Sequence, residues 1–229
     1  MVRILSIETS TAVLSVALSE DRTVVSERLC TEARQQAALT APLVKEVLDS
    51  AGISIRDCDA VCVSAGPGSY TGLRVGVSTA KGLAFGAGIP LLAVGTLDIL
   101  VAGALSHSER SENSFIVPML DARRMEVYTA VYSATGKRLT EVEPMVVSAR
   151  SFAAQLEEGP VFFVGDGALK CQEVISHPNA RFLEAFPMAG NMAPLAYEAF
   201  RAGRFQDVAY FEPFYLKDFV ATVSKKQLW

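Results

Sequence analysis

Histidine is almost missing from this chain, with two in 229 residues, His107 and His177, standing 70 positions apart. There is therefore no H-E-x-x-H helix and no Ser/His/Asp set. Both histidines lie in polar or proline-flanked stretches and read as surface residues with no catalytic role. Cysteine is scarce too. Cys30, Cys58, Cys62 and Cys171 form no regular framework, and zinc would need ligands that the histidines cannot supply. Cys58 and Cys62 are four apart on an expected strand and so face one side; all four read as buried, reduced thiols. No metal site and no catalytic residue is expected.

Long apolar runs and a surplus of positive charge are also lacking. Nothing approaches the ~20 residues of a membrane-spanning helix. The opening MVRILSIETS has no long apolar core and no small-residue cleavage site, so it reads as a first strand and the protein is expected in the cytoplasm, with no membrane partner. A net charge of −4 offers nucleic acid no broad attraction. The local exception is LKDFVATVSKKQLW, with Lys217, Lys225 and Lys226. It reads as a solvated terminus, with a phosphate-touching tail on tRNA as the sharper alternative.

What is present is apolar material in abundance, half of the residues. A chain of this length buries about 70% of its unfolded surface without a metal or disulfide staple. Two segments share one pattern. In RILSIETSTAVLSVALSEDRTVVSERL an apolar strand ends on Glu8, followed by a polar turn, an alternating strand over 13–18 and a third strand over 23–29. In SFIVPMLDARRMEVYTAVYSATGKRLTEVEPMVV a strand ends on Asp121, followed by a polar turn, a strand over 126–132 and a third strand beyond Gly136. After the first comes a helix over 32–50 with Thr31 as its N-cap, then a strand over 60–64 entering Gly66-Pro67-Gly68. After the second comes a helix over 149–157, then a strand over 161–164 entering Gly165-Asp166-Gly167.

Each half thus reads β-β-β-α-β-glycine turn-α, which is neither a simple doubly wound sheet nor an all-β sandwich. Duplicated units of this order resemble the two-lobed, actin-like ATPase fold, an α/β architecture with an RNase H-like core, here with a reduced second lobe. The expected division is 1–105 for the first lobe and 106–190 for the second. Residues 191–229 form a C-terminal helix, over 193–203, and a basic tail returning near the junction. In that fold the turns after the two first strands grip nucleotide phosphates. The vestigial equivalents here are Glu8, Thr9, Ser10 and Gly66 on one side, and Asp121 and Asp166 on the other.

The run GPGSYTGLR invites a phosphate reading, but the motif tests are negative. It has no lysine where G-x-x-x-x-G-K-[ST] requires one, no G-x-G-x-x-G, and no G-x-S-x-G. The helix that follows, over 72–87, carries Gly72, Gly76 and Ala80 on one line and Ser78, Gly82 and Gly86 on another. Interior Gly76 and Gly82 should cost that helix about 2 kcal/mol together relative to alanine. Close approach of a foreign backbone is the expected compensation, with packing inside the lobe as the alternative. Leu73, Val77, Ala80 and Ala84 make an apolar row beside the glycines. In the helix over 32–50, Leu39, Leu43 and Val47 make one row and Ala37, Ala41, Val44 and Leu48 another, around a kinking Pro42. That is more apolar surface than one sheet face needs. The expected partner interface comprises Leu39, Leu43, Val47, Gly72, Leu73, Arg74, Gly76, Val77, Ala80 and Lys81.

ILSIETSTAVLSVAL, GPGSYTGLRVG with KGLA after it, LDARRMEVYTAVY, VGDGA and PFYLK together resemble the TsaB (YeaZ) family over nearly the whole chain. The resemblance implies the actin-like fold and a scaffold role in making threonylcarbamoyladenosine on tRNA. The family's partner TsaD, of the same superfamily, transfers threonylcarbamoyl from threonylcarbamoyl-AMP to N6 of the adenosine beside the anticodon. TsaD holds its metal through an H-x-x-x-H pair, which this family has lost. The family pairs with TsaD through first-lobe helices, TsaE joins the pair, a homodimer forms without TsaD, and tRNA is met through the complex. No cofactor of its own is implied, and ADP or ATP at the complex boundary stays open. One departure is Gln35-Gln36-Ala37, where typical members carry His-Ser. The competing reading is an ATP-dependent kinase of the same fold, using Glu8 or Asp121 for magnesium.

Overall fold

The computed structural model describes residues 1–32, 34–107 and 111–217, with backbone alone at 107. Lys225 and Lys226 lie outside them. The first lobe is a five-stranded sheet in the order β3-β2-β1-β4-β5. β1 (Arg3–Glu8), β2 (Leu14–Glu20) and β3 (Thr23–Cys30) form an antiparallel meander, and β4 (Ala60–Ser64) and β5 (Leu91–Val94) add parallel strands. β4, AVCVS, is buried along its length, as a central strand covered on both faces must be. One face, with Leu5, Ile7, Val61 and Val63, packs under α1 (Gln36–Ser50) and α2 (Tyr70–Ala87). The other, with Ile4, Ala60 and Cys62, packs under a 3₁₀ turn at Ala189–Met192 and α6 (Ala193–Arg201). The C-terminal helix therefore belongs to the first sheet.

The second lobe has six strands, in the order β11-β10-β6-β7-β9 with β8 on β6. They are β6 (Phe115–Asp121), β7 (Glu126–Thr129), β8 (Tyr132–Ser133), β9 (Glu143–Val146), β10 (Val161–Val164) and β11 (Ala180–Leu183). Short helices α4 (Ala153–Glu158) and α5 (Ala168–Cys171) connect the later strands. α3 (Thr96–His107) lies between the lobes. Ile99 joins the first lobe's core, while Leu97, Leu100 and Val101 pack on Ile116, Leu120 and Tyr132.

Several local expectations are corrected. The strand expected over 126–132 is two, because β6 pairs first with β7 and then with β8. α1 starts at Gln36 with Gln35 as N-cap and no side-chain cap; Thr31 cannot cap it, because β3 runs to Cys30 and Arg34 sits at positive φ in the intervening turn. α1 runs on through Pro42. Cys58 and Cys62 do not share a face: Cys58 ends a 3₁₀ turn (Ile55–Asp57) before β4 begins and joins the α1/α2 core, whereas Cys62 faces α6. Cys58, Cys62 and Cys171 are buried free thiols, and Cys30 is half-buried.

Candidate functional site

The first candidate is the end of β1. Glu8 is fully buried, with Oε1 accepting from the Ser10 N–H at 2.5 Å. The Ser10 and Ser64 hydroxyls stand close enough to favour the charged form, yet neither makes a well-formed hydrogen bond, and Oε2 has no partner among the described residues. Burial outweighs these contacts and pushes the carboxyl up to about 7. A magnesium-holding carboxylate must be ionised and open to the ion; Glu8 is neither fully ionised at neutral pH nor accessible.

The turn after Glu8 is covered by the glycine run. The Ser69 N–H donates to the Ser10 carbonyl at 2.6 Å, and Thr9 Oγ1 donates to the Gly72 carbonyl at 2.8 Å. A Cβ on Gly68 would lie 2.5 Å from the Ser10 carbonyl oxygen. One on Gly72 would strike the Thr9 carbonyl oxygen, and one on Gly76 the Thr9 hydroxyl. The expected reason for Gly72 and Gly76 is thus corrected: the backbone pressed against this line of α2 is the lobe's own β1–β2 turn. Gly66, at φ +99°, lies against the Phe214 carbonyl. Gln36 adds a tie, its Nε2 donating to the Thr11 carbonyl at 2.9 Å.

The second candidate, around Asp121, is filled differently. Asp121 Oδ1 accepts from the Arg123 N–H at 2.8 Å and is ion-paired with Lys170. The same ammonium donates to the carbonyls of Arg124 and Glu126, both at 2.7 Å. Asp166 Oδ1 accepts from the Asp121 N–H at 2.9 Å, and burial raises its carboxyl above the ordinary range. A lysine thus occupies the place a cation would take. Neither acid fits a magnesium–triphosphate clamp.

The third candidate is the outer surface of α1 and α2. Of the residues expected at a partner interface, Val47, Leu73, Val77 and Ala80 are core residues, as are Gly72 and Gly76; Leu43 is buried and Leu39 half-buried. Lys81 is engaged, its Nζ donating to the carbonyls of Ala209 at 2.9 Å and Phe211 at 3.2 Å. Arg74 is exposed, its guanidinium 4.4 Å over the Tyr70 ring, which stands 4.8 Å from the ring of Tyr215. What α2 leaves open is the line Arg74, Ser78, Gly82 and Gly86 with Phe85, 81% exposed. A Cβ on Gly82 or Gly86 would meet nothing within 4 Å. Phe85 escaped the sequence reading, though it follows directly on inward-facing Ala84 and so falls off the core stripe. Lys217 pairs with Glu126 and lies 5.9 Å from the Tyr128 ring centre, so its described contact is with the second lobe.

Two sheets on this plan, with the ends of β1 and β6 at corresponding places, define the actin-like ATPase fold. Two dehydratase activators share the fold at 9–11% identity: that of 2-hydroxyisocaproyl-CoA dehydratase from Clostridium difficile, with bound ADPNP (TM-score 0.51), and component A of (R)-2-hydroxyglutaryl-CoA dehydratase from Acidaminococcus fermentans (TM-score 0.52). YeaZ from Pseudomonas aeruginosa aligns at TM-score 0.78 and 29% identity, over 94% of this chain and all of that one. The model of the TsaD family, tRNA N6-adenosine threonylcarbamoyltransferase, matches residues 30–226. The tRNA threonylcarbamoyladenosine biosynthesis protein TsaB of Escherichia coli is 33% identical over 96% of both chains, and that of Bacillus subtilis 35% over 71% of this chain and 70% of its own. The chain belongs to the TsaB (YeaZ) family.

Proposed function

We propose that this protein acts in tRNA threonylcarbamoyladenosine biosynthesis as a non-catalytic subunit. It docks on the transferase TsaD, holds it in its active arrangement, and meets tRNA and TsaE through that complex. The docking surface is the outer line of α2 with the adjoining side of α1, centred on Phe85. The observation that carries the reading is that α2 spends its buried glycines on its own lobe yet keeps Gly82 and Gly86 open beside a large exposed aromatic ring. Solvent gives no reason for such a helix, which forgoes about 1 kcal/mol per glycine; a partner fitting over Phe85 does. The buried Glu8 and the lysine-paired Asp121 favour a subunit without phosphoryl-transfer chemistry over the kinase reading.

The test is reconstitution of TsaD and TsaE with and without this protein, scored for modified tRNA, with TsaD capture measured alongside. Wild type should restore modification. Phe85→Asp and Gly82→Glu should lower both capture and modification at least about thirtyfold, the equivalent of one lost hot spot of about 2 kcal/mol. Capture by both variants at wild-type level would remove α2 from the interface, and modification unchanged without the protein would remove the role. In the absence of TsaD the same face closes a two-fold homodimer. Sedimentation should show that dimer dissolving as TsaD is added and failing to form in Phe85→Asp.

A further inference from the structure

A cavity of about 430 Å³ opens between the lobes on the β5 side. Its wall includes no residue of the β1–β2 turn, the 66–68 loop or the 165–167 turn, while Gly95, Asp98 and Arg138 also line a smaller neighbouring cavity that reaches Gly66 and Pro67. Apolar side chains, among them Val101 and Leu195, line it. Four charged side chains reach it: Asp98, Arg138, Glu198 and Arg204. The two acids already have partners. Asp98 Oδ1 accepts from the Tyr132 hydroxyl at 2.7 Å, and Glu198 is paired with Arg22. The two arginines differ in this respect. Arg138 leans on the Tyr132 hydroxyl, and among the described residues neither Arg138 nor Arg204 forms an ion pair. A half-open cavity of this size, with polar and apolar wall in about equal measure and two guanidinium groups outside any ion pair among the described residues, has the size of a small-molecule site. Guanidinium forks select planar carboxylates and phosphates.

We propose that this cavity binds a small amphipathic anion, an apolar body carrying a carboxylate or a phosphate, held between Arg138 and Arg204. Arg138 follows β8 in the second lobe, whereas Arg204 follows α6, which packs on the first sheet. The ligand would therefore tie the lobes together.

The test uses two probes with one apolar body, 4-ethylbenzoate and 4-ethylphenyl phosphate, with 4-ethylbenzamide as the uncharged control, each titrated onto the full chain by ligand-observed NMR. At least one anion should saturate a single site with a Kd tighter than about 1 mM, and the amide should bind about tenfold more weakly. Whichever anion binds more tightly identifies the head group. Arg138→Gln and Arg204→Gln, both at exposed positions, should each weaken that anion about tenfold. Ala102→Phe, which fills the cavity with both arginines in place, should abolish binding. Binding of both anions weaker than that limit, an amide bound as tightly as the anions, or affinities unchanged in both arginine variants would overturn the proposal.

Discussion

Thr9 and Gly72 are joined by a 2.8 Å hydrogen bond from the threonine hydroxyl to the glycine carbonyl, and the same hydroxyl fills the space above Gly76. One threonine thus fixes how closely α2 lies on the end of β1. The two interior glycines of α2 should then respond with opposite signs to one change. Gly76→Ala forces a collision in a closed core and should destabilise by about 2 kcal/mol. Gly82→Ala points into open space and should stabilise by up to about 1 kcal/mol. Thr9→Ala should recover part of the Gly76→Ala loss, since the next contact there is the threonine Cβ at 3.3 Å. Urea unfolding of the four proteins measures this. Equal and same-sign effects at the two glycines would contradict this packing.

Glu8 gives the protein a predictable pH dependence. Its carboxyl titrates near 7 in the folded state against 4.5 in the unfolded chain, so folding favours the protonated form. Its contribution is intact below pH 4.5 and is lost as pH rises through 7. A displacement of that size corresponds to about 3 kcal/mol at full loss. Glu8→Gln keeps an acceptor for the Ser10 N–H and carries no charge. It should match wild type near pH 4.5 and exceed it in stability increasingly up to pH 8. Parallel stability curves across that range would show that Glu8 is solvated.

How much of this was legible in the chain depends on whether the deciding contact was local. The meanders, the strand–glycine turn–helix order and the duplicated acids at Glu8 and Asp121 are period-two and turn signals, readable within a few residues. The purpose of Gly76 was not, because its partner Thr9 lies 67 positions earlier and helix spacing alone cannot say which surface approaches. The thiols at 58 and 62 show the same limit: spacing places them on one face only if both belong to the strand, and Cys58 instead closes the 3₁₀ turn before it. Lys170, which neutralises Asp121 across 49 positions, has no sequence signature at all.

That lysine supplies a third prediction. Lys170→Met leaves the Asp121 carboxylate and two carbonyls without their shared donor, and should cost about 1–3 kcal/mol. Calorimetry of the isolated wild-type protein with Mg-ATP should show no micromolar binding, because the acid that would hold the ion is already paired. Micromolar binding with turnover would reinstate the kinase reading.

The C-terminal segment offers a fourth. Residues 206–214 are laid along the first lobe by backbone bonds at both ends, Gln206 N–H to the Leu91 carbonyl at 2.8 Å and Phe214 N–H to the Ala65 carbonyl at 2.7 Å. Between them the Lys81 ammonium takes the carbonyls of Ala209 and Phe211. Lys81 is thus an internal clasp reaching from α2 to a stretch 128 positions away, and its loss should loosen that stretch without unfolding the lobe. Lys81→Met should cost that segment about 1–2 kcal/mol locally, two hydrogen bonds from a charged donor at a half-exposed site, with the global unfolding free energy little changed. Amide exchange at residues 207–214 should rise about tenfold or more while the β1 and β4 amides stay protected. Exchange rising equally in the sheet would mean that the clasp is part of the core, and no change at 207–214 would mean that the two terminal bonds hold the segment alone.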